Sequence, residues 1–506
     1  MLPMNQRIPD WLAHRASATP DRLAVIFRDK QYSFAELHLR VAGVIRLLED
    51  AGLSPGQRAA LLLHNGIHFV DFVHALPRFG AIIVPLNTRL TAEELSWQIH
   101  HADCRLLIYD EANAGKAREI IQQAPHLIRL QAEEFSPPSF PPAAHAAADA
   151  REVYVGLDQL HSIIYTSGTT GKPKGTMLTF GNHLWSAFGS VLNLGLRTDD
   201  RWLACLPFFH VGGLSILLRS VLYGIPAVIH ERFHPSEVNA SIDRHRVTLI
   251  SVVSNMLARM IEERGAKPYP DHLRCVLVGG GPVPRPLLEE CQTRGIPVVQ
   301  TYGLTETASQ TATLAPEEAL RKLGSAGKPL FPTELRIERD GRSVPPHVEG
   351  EITVRGPNVT LGYDQLPEET EQAFRGGWFH TGDWGYLDEE GYLYVLDRRK
   401  DLIISGGENV YPAEVEAALL AHPAVQEAGV TGLPDERWGQ VPVAAVRCRP
   451  GHTVTAEELH RFLQSRLAKY KLPVKYRFVE QLPRTASGKL QRHALVQFFR
   501  EGEPDR

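Results

Sequence analysis

At 506 residues the chain is too long for a single hydrophobic core, so two or more domains are expected. Hydrophobic residues make up 43% and charged residues 22%, and the net charge of -4 gives no electrostatic basis for binding nucleic acid or an anionic membrane. The five cysteines are scattered, odd in number and never in a Cys-x-x-Cys pair, which predicts a cytoplasmic protein without a disulfide framework.

The first part of the chain alternates predicted helices with short apolar strands. Residues 22–27, 58–63 and 80–86 are typical of buried strands. Ser33 is followed three residues later by Glu36, a pair that is typical of a helix N-terminus. This alternation favours an α/β fold with a largely parallel sheet.

A linker rich in proline and alanine, residues 135–149, precedes a second series of helices and strands. Strands are predicted at residues 227–230, 249–253 and 275–278. The most apolar stretch, residues 211–229, is interrupted by charge, glycine and proline, so no membrane-spanning helix is predicted.

From about residue 335 short strands alternate with Asp-Gly turns, which predicts a small antiparallel β region. The charged segment 397–401 then stands between two apolar strands and is the predicted domain boundary. Beyond it, helices at 412–421 and 455–469 with strands between them predict a small α+β domain. The N-terminal domain would therefore span residues 1–396 and the C-terminal domain residues 402–506.

The most informative motif is the glycine-rich stretch of residues 163–175, Ile-Ile-Tyr-Thr-Ser-Gly-Thr-Thr-Gly-Lys-Pro-Lys-Gly. Its glycines let the backbone turn tightly and bring N–H groups close to an anion, while the hydroxyl groups and lysines add donors and charge. The spacing is not that of a Walker A loop. A linker would not need glycines alternating with hydroxyls directly after a buried strand, so a phosphate-binding loop is the favoured interpretation.

Four shorter segments carry further candidate ligands. Residues 279–282, Gly-Gly-Gly-Pro, follow a buried strand and would let a flat ligand lie against bare backbone, although a tight turn would use the same glycines. Tyr302 could stack on a base, and Glu306 could hold Mg²⁺ on a triphosphate. Asp383 could accept hydrogen bonds from ribose hydroxyls, and Lys489 lies in a short Ser-Gly-Lys-Leu segment.

In this order the motifs resemble those of the AMP-forming adenylating superfamily of acyl-CoA synthetases, firefly luciferase and peptide-synthetase adenylation domains. The resemblance extends from Trp11 to about Arg492. It implies a large N-terminal domain of layered helices and sheets and a small C-terminal domain that rotates about a hinge, residues 397–401, between two half-reactions. A carboxylate first attacks the α-phosphate of ATP to give an acyl-adenylate and pyrophosphate, and CoA then displaces AMP.

The resemblance also implies roles for individual residues. The catalytic residues that it implies are Lys489, which reaches the bond being formed, His210 and Glu306. Glu306 and Thr166 are the implied ligands of Mg²⁺, and Lys400 matches the hinge position. Contacts with ATP and CoA are implied for the phosphate loop (Thr166, Ser167, Gly168, Thr169, Thr170, Gly171, Lys174), the adenine and α-phosphate sites (Gly279, Gly280, Gly281, Tyr302, Gly303, Thr305), the ribose pair (Asp383, Arg398) and the pantetheine loop (Gly406, Gly407).

A narrower resemblance concerns the acid. Residues 206–210, Leu-Pro-Phe-Phe-His, and 324–330, Gly-Ser-Ala-Gly-Lys-Pro-Leu, are similar to segments of the o-succinylbenzoate–CoA ligases of menaquinone biosynthesis. The alternatives are another aryl or medium-chain acid, or a carrier-loading adenylation module. Residues 211–213, Val-Gly-Gly, depart from the pattern, because many relatives are expected to have a serine there. The implied partners are small molecules, without nucleic acid or stable membrane insertion, and a homo-oligomer is compatible with the sequence.

Three assignments have two interpretations each at this point. His210 alone could be a core histidine, although its Pro-Phe-Phe-His setting favours a wall of the acyl site. Arg219 could pair with the second carboxylate of a dicarboxylic acid or could cap a helix. Ser309 and Gln310 could line the acyl pocket or lie on a surface helix.

Overall fold

The computed structural model describes residues 7–135, 153–166, 173–281, 283–398, 401, 403–405, 408–435, 438–464, 466–467, 469–485 and 488–499. Most of the predicted linker at residues 135–149 lies outside these ranges. The α-helices of the described residues are α1 (Trp11–Ala18), α2 (Phe34–Asp50), α3 (Ile67–Phe79), α4 (Ala92–His101), α5 (Ala114–Gln123), α6 (Phe180–Leu194), α7 (Val211–Tyr223), α8 (Pro235–Arg244), α9 (Ser254–Arg264), α10 (Arg285–Thr293), α11 (Pro367–Ala373), α12 (Pro412–Leu420) and α13 (Ala456–Gln464).

The strands are β1 (Arg7–Pro9), β2 (Leu23–Phe27), β3 (Lys30–Ser33), β4 (Arg58–Leu62), β5 (Ile82–Pro85), β6 (Cys104–Tyr109), β7 (Ile128–Gln131), β8 (Tyr154–Gly156), β9 (Leu160–Thr166), β10 (Lys174–Thr179), β11 (Trp202–Ala204), β12 (Ala227–Ile229), β13 (Leu249–Val252), β14 (Cys275–Val278), β15 (Val298–Tyr302), β16 (Ala312–Leu314), β17 (Lys328–Pro329), β18 (Glu334–Arg339), β19 (Arg342–Ser343), β20 (Gly350–Arg355), β21 (Gly362–Tyr363), β22 (Phe374–Arg375), β23 (Trp378–Leu387), β24 (Leu393–Arg398), β25 (Ile403–Ser405), β26 (Glu408–Val410), β27 (Val425–Asp435), β28 (Gly439–Cys448) and β29 (Lys475–Phe478).

Two large, mostly parallel sheets form the body of the protein, which confirms the predicted α/β architecture. One has the order β21-β10-β9-β5-β4-β6-β7 and the other β17-β16-β15-β14-β13-β11-β12-β2-β3. The interior strands of both sheets run parallel, while β10, β16 and β3 pair antiparallel with their neighbours. Phe69 on α3 contacts Phe208, with ring centroids 5.3 Å apart, so packing between the layers also fixes the segment that leads to His210.

Local capping signals in the sequence coincide with helix starts in the structure. The Ser33 side chain accepts a hydrogen bond from the backbone N–H of Glu36, whose carboxylate accepts one from the backbone N–H of Ser33. Thr91 and Glu94 form the same capping box at the start of α4. Each box satisfies backbone donors that the helix itself leaves without partners.

The small β region that contains β18 to β24 pairs antiparallel, as predicted. Strands β18, β20, β23 and β24 form one small sheet, and β25 to β29, with α12 and α13, form another α+β unit. The structure extends β24 to Arg398, inside the charged segment 397–401, through its pairing with β23, and the domain boundary placed in that segment stays a prediction. The structure also ends α13 at Gln464, five residues before the predicted end at residue 469. Long-range strand pairing is the cause of the first difference, and the local charge pattern does not reveal it.

In the part of the chain that the structure describes, no helix combines the length and apolar character needed to cross a bilayer.

Candidate active site

Two predicted site residues, Gly279 and Tyr302, lie at the carboxyl ends of neighbouring strands in the nine-stranded sheet. Val253 follows β13, Gly279 follows β14, and Tyr302 is the last residue of β15. These strands lie side by side and run in the same direction, so their ends meet at one edge. In open α/β sheets this edge is the usual place for a ligand.

The glycine segment after β14 lies directly against Lys489. A Cβ atom added to Gly280 would lie 3.2 Å from Lys489 Cε and 3.4 Å from Val253 Cγ1. Gly280 also has a φ of +82°, a conformation that glycine adopts without strain. A lysine from the C-terminal part of the chain and the glycines of the large sheet are thus brought together.

A tight turn holds the backbone of Lys489. Its N–H donates to Thr485 Oγ1 at 3.1 Å, and its carbonyl accepts from the N–H of Thr485 at 2.7 Å. Gly488, with a φ of +83°, allows this turn, and its added Cβ would lie 3.3 Å from Val253 Cγ2. Ser487, the first residue of the predicted lysine motif, lies outside the described residues.

His210 stands immediately before α7 and is largely buried. Burial, followed by the charges of Lys489 and Arg89, lowers the pKa of His210 to about 4, so the imidazole is neutral near pH 7. No described residue makes a hydrogen bond with its Nε2 atom. The positive charge of Lys489 thus contributes to the lowered pKa of His210. The neutral ring can form a wall of the site or a hydrogen bond with a ligand.

Tyr302 and Asp383 are joined directly. The Tyr302 hydroxyl donates to Asp383 Oδ2 at 2.7 Å, and Asp383 is buried. Asp383 is also the cross-strand neighbour of Arg398 in the pairing of β23 with β24. The predicted ribose pair therefore occupies opposed backbone positions in one antiparallel ladder.

Glu306 is fixed by two contacts with a later part of the chain. It lies in the 3-10 helix Thr305–Thr307, after the close turn at Gly303, where a Cβ atom would overlap the carbonyl oxygen of Ser309. Glu306 Oε1 accepts a hydrogen bond from the Tyr363 hydroxyl at 3.1 Å, and its carbonyl accepts from the Thr360 N–H at 2.7 Å.

The base of the predicted phosphate loop reaches the same place. Thr166 ends β9, Lys174 begins β10, and the two residues are partners in the antiparallel ladder. Lys174 Nζ lies 5.0 Å from the centre of the Tyr363 ring, so Tyr363 stands between the loop and Glu306. The sequence prediction missed Tyr363, because an isolated Gly-Tyr pair carries no chemical signal until β21 pairs with β10.

Arg219 is buried inside the protein, with 2% of its surface exposed. It lies within α7 and donates hydrogen bonds to Gln310 Oε1 at 2.9 Å and Ser186 Oγ at 3.0 Å, so the helix-capping interpretation is wrong. Gln310 is also buried and lies in no helix, so the surface-helix interpretation of that residue is wrong as well. Burial lowers the pKa of Arg219 from its ordinary value, and no ion pair joins it to a described carboxylate.

The donors near Glu306 suit a magnesium ion that is bound mainly through a ligand. The Glu306 carboxylate and the Thr166 hydroxyl are hard oxygen donors of the kind that Mg²⁺ prefers. Among the described residues no group of three or more His, Cys, Asp or Glu side chains could hold a metal by itself. Phosphate oxygens and water would have to complete the coordination, as is usual for Mg²⁺ in nucleotide sites.

Some predicted site residues lie outside the described ranges, so the structure says nothing of their placement. They are Ser167, Gly168, Thr169, Thr170, Gly171, Lys400, Gly406 and Gly407. All five cysteines are free in the structure, in agreement with the prediction that the protein has no disulfide framework.

Comparison with known proteins gives the family context of this site. Residues 12–364 match the model of the AMP-binding enzyme family, and residues 414–489 match that of the AMP-binding enzyme C-terminal domain. The first range contains the glycine-rich stretch, Gly280 and Glu306, and the second ends at Lys489.

Individual relatives cover nearly the whole chain. A 2-succinylbenzoate–CoA ligase of Geobacillus sp. (strain WCH70) is 51% identical over 504 residues, which is 99% of this chain and 99% of the relative. The o-succinylbenzoate CoA synthetase of Bacillus subtilis in complex with its acyl-adenylate intermediate has a TM-score of 0.90 and 46% identity, covering 99% of this chain and all of that one. The same enzyme in complex with ATP and magnesium ion has a TM-score of 0.88 and 46% identity, covering 97% of this chain and all of that one.

Proposed function

The chain belongs to the AMP-binding enzyme family, and we propose that it ligates o-succinylbenzoate to CoA through an acyl-adenylate, as a step of menaquinone biosynthesis. ATP and CoA are the co-substrates and Mg²⁺ the metal ion. The 51% identity with a 2-succinylbenzoate–CoA ligase over 99% of both chains supports this reaction. We further propose a cytoplasmic location, which the five free cysteines favour.

The observation that carries the choice of acid is the buried guanidinium group of Arg219. Its hydrogen-bond acceptors are the neutral groups of Gln310 and Ser186, and a buried cation without an anionic partner is costly. o-Succinylbenzoate has two carboxylates, and only one of them is activated. The second would offset the cost at Arg219. Ser186 donates in turn to the carbonyl of Ala308, so this cation is connected to the segment that follows Glu306.

In the first half-reaction two anions must meet, the carboxylate and the α-phosphate of ATP. Lys489, which lies against Gly280, would offset their repulsion and stabilise the charge that develops in the transition state. The phosphate loop and Lys174 would hold the departing pyrophosphate. Mg²⁺ held by Glu306 and Thr166 would supply further positive charge to the triphosphate. Tyr302 with Asp383 would fix the nucleoside, since the hydroxyl of one already orients the carboxylate of the other.

In the second half-reaction the thiol of CoA must reach the acyl carbon that Lys489 faced. We propose that the C-terminal domain, residues 402–506, rotates about the segment 397–401 and exchanges Lys489 for the loop that contains Gly406 and Gly407. Lys400, two residues after the end of β24, is the proposed hinge residue. The neutral His210 would then separate the acyl group from the thiol tunnel.

An acid panel in ATP–pyrophosphate exchange tests the proposed substrate. We expect o-succinylbenzoate to be preferred over octanoate, benzoate and 4-oxo-4-phenylbutanoate, which is the same acid without its ring carboxylate. Preference for octanoate or benzoate would refute the assignment. Failure of free CoA to accept the acyl group would instead favour a carrier-loading module.

The variant Arg219→Gln, assayed with two of these acids, tests the role of the guanidinium. We expect the KM for o-succinylbenzoate to rise roughly tenfold to a hundredfold, the range expected when a hydrogen bond to a charged group is lost. The rate with 4-oxo-4-phenylbutanoate should change little. Equal losses with both acids would mean that Arg219 only maintains the fold.

A further inference from the structure

Residues 360–364 contact both the segment that contains Glu306 and strand β10, which begins at Lys174. We call residues 360–364 the clasp. Its first residue, Thr360, donates its N–H to the carbonyl of Glu306 at 2.7 Å and its hydroxyl to the carbonyl of Met177 on β10 at 2.6 Å. One residue of the clasp therefore binds both the metal-site segment and the strand that leaves the phosphate loop.

Tyr363 repeats this double contact with its side chain. The hydroxyl donates to Glu306 Oε1 at 3.1 Å, and the ring lies 5.0 Å from Lys174 Nζ. The attraction of a cation to an aromatic face is weak at accessible sites, so an incoming phosphate can displace it. No ion pair joins Lys174 to a carboxylate among the residues described, so no carboxylate of that part of the chain competes with an incoming anion for the ammonium group.

A partly buried ion pair anchors the clasp at its other end. Asp364 receives hydrogen bonds from both terminal nitrogens of Arg58, at 2.8 and 2.9 Å, and its own N–H donates to the carbonyl of Gly175 at 2.7 Å. Arg58 begins β4 and also donates to the carbonyl of Ala102 at the end of α4, so its pairing with Asp364 connects the clasp to the seven-stranded sheet. Paired, two-pronged contacts of this kind fix orientation as well as distance.

We propose that the clasp sets the position of Glu306 relative to Lys174, and that Tyr363 is a positioning residue for binding of the metal–triphosphate complex. The hydroxyl of Tyr363 orients the Glu306 carboxylate toward the metal, and its ring holds Lys174 at the entrance of the phosphate loop. This inference rests on the proposed ATP-dependent function. It assigns no contact between Tyr363 and the reacting atoms.

Equilibrium binding of an ATP analogue whose α–β bridge is a methylene group tests the proposal without any reaction. Calorimetry would measure the analogue's Kd with and without Mg²⁺ for the wild type, Tyr363→Phe and Tyr363→Leu. Tyr363→Phe keeps the ring but removes the hydrogen bond, so we expect Mg²⁺-dependent binding to weaken about tenfold and metal-free binding to stay unchanged. Tyr363→Leu should weaken metal-free binding as well, because Lys174 loses its support.

Tyr269→Phe is the matched control. Tyr269 also carries a cation on its ring, Arg264 at 4.3 Å, and its hydroxyl donates to Asn239 at 3.0 Å, away from the candidate site. This variant should bind the analogue as the wild type does. If Tyr363→Phe shows the wild-type Mg²⁺ dependence, the clasp proposal is overturned. If the wild type itself fails to bind the analogue, the proposed function fails instead.

Discussion

At the residue scale, three buried histidines lie together near the centre of the large domain. The rings of His161 and His183 are 4.7 Å apart, and protonation of His74 would repel a proton on His161. Burial lowers the pKa of His74 to about 4 and that of His183 to about 3, and it lowers the pKa of His161 well below its ordinary value. All three are therefore neutral in the folded protein at pH 5 and above.

We predict that this cluster makes the protein sensitive to mild acid. In the unfolded chain these histidines take up protons near pH 6.5, while the folded protein resists protonation until about pH 4. The free energy of unfolding that the neutral histidines contribute is therefore fully present above pH 6.5 and is lost as the pH falls toward 4. At pH 5 the loss would be about 2 kcal/mol for each histidine of this kind.

Thermal unfolding between pH 8 and pH 5 measures this effect. We expect the midpoint of unfolding to fall below pH 6.5 in the wild type and to fall less steeply in His74→Gln. The exposed residue His126 offers a control, since His126→Gln should leave the pH dependence unchanged. An unchanged slope in His74→Gln would contradict the prediction.

At the element scale, the start of α7 depends on one close approach. A Cβ atom at Gly213 would overlap the carbonyl oxygen of Pro207, whereas one at Gly212 would lie 3.6 Å from Leu206 Cδ1, an ordinary contact. Residues 211–213, Val-Gly-Gly, depart from the family pattern, and the glycine at position 213 has a steric reason. A side chain at that position would displace the turn before His210.

We predict that Gly213→Ala lowers both the thermal midpoint and the rate of adenylation, since the turn that presents His210 must shift. Gly212→Ala, one residue away, should be close to the wild type in both measurements. Differential scanning fluorimetry and pyrophosphate exchange would show the contrast. If both variants behave alike, close packing at Gly213 does not position His210.

The sequence predicted those elements whose signals are local. The capping box at Ser33 depends on residues three apart, and the buried strand at residues 275–278 is bounded by its own apolar run. The extension of β24 to Arg398 depends on a partner strand, and the burial of Arg219 depends on α6 and residues after Glu306. Tertiary contacts of this kind leave no pattern within one short stretch of sequence.

For the site, recognisable motifs predicted Gly280, Glu306 and Lys489 because each lies in a segment of unusual composition. The clasp was not predicted, since Tyr363 acquires its meaning only from two contacts made across the fold. The sequence suggested that Arg219 either pairs with a second carboxylate or caps a helix, and its burial was needed to exclude the helix cap.

At the scale of the whole molecule, the position of Lys489 defines the state of the protein. A lysine from the C-terminal region lies within contact distance of the glycines after β14, and its charge helps to lower the pKa of His210. This arrangement suits the first half-reaction, in which a cation must approach two anions. The second half-reaction would require this lysine to leave, so one chain would use two arrangements of its domains.

The variant Lys489→Ala tests this central claim most directly when both half-reactions are measured separately. We predict that adenylate formation from o-succinylbenzoate and ATP is abolished, because Lys489 supplies the positive charge at Gly280, where its other described neighbour is the apolar side chain of Val253. Thioester formation from supplied acyl-adenylate and CoA should be largely retained. Lys469→Ala, which changes an exposed lysine of the same region, should retain both reactions. Equal loss of the two half-reactions in Lys489→Ala would contradict the account.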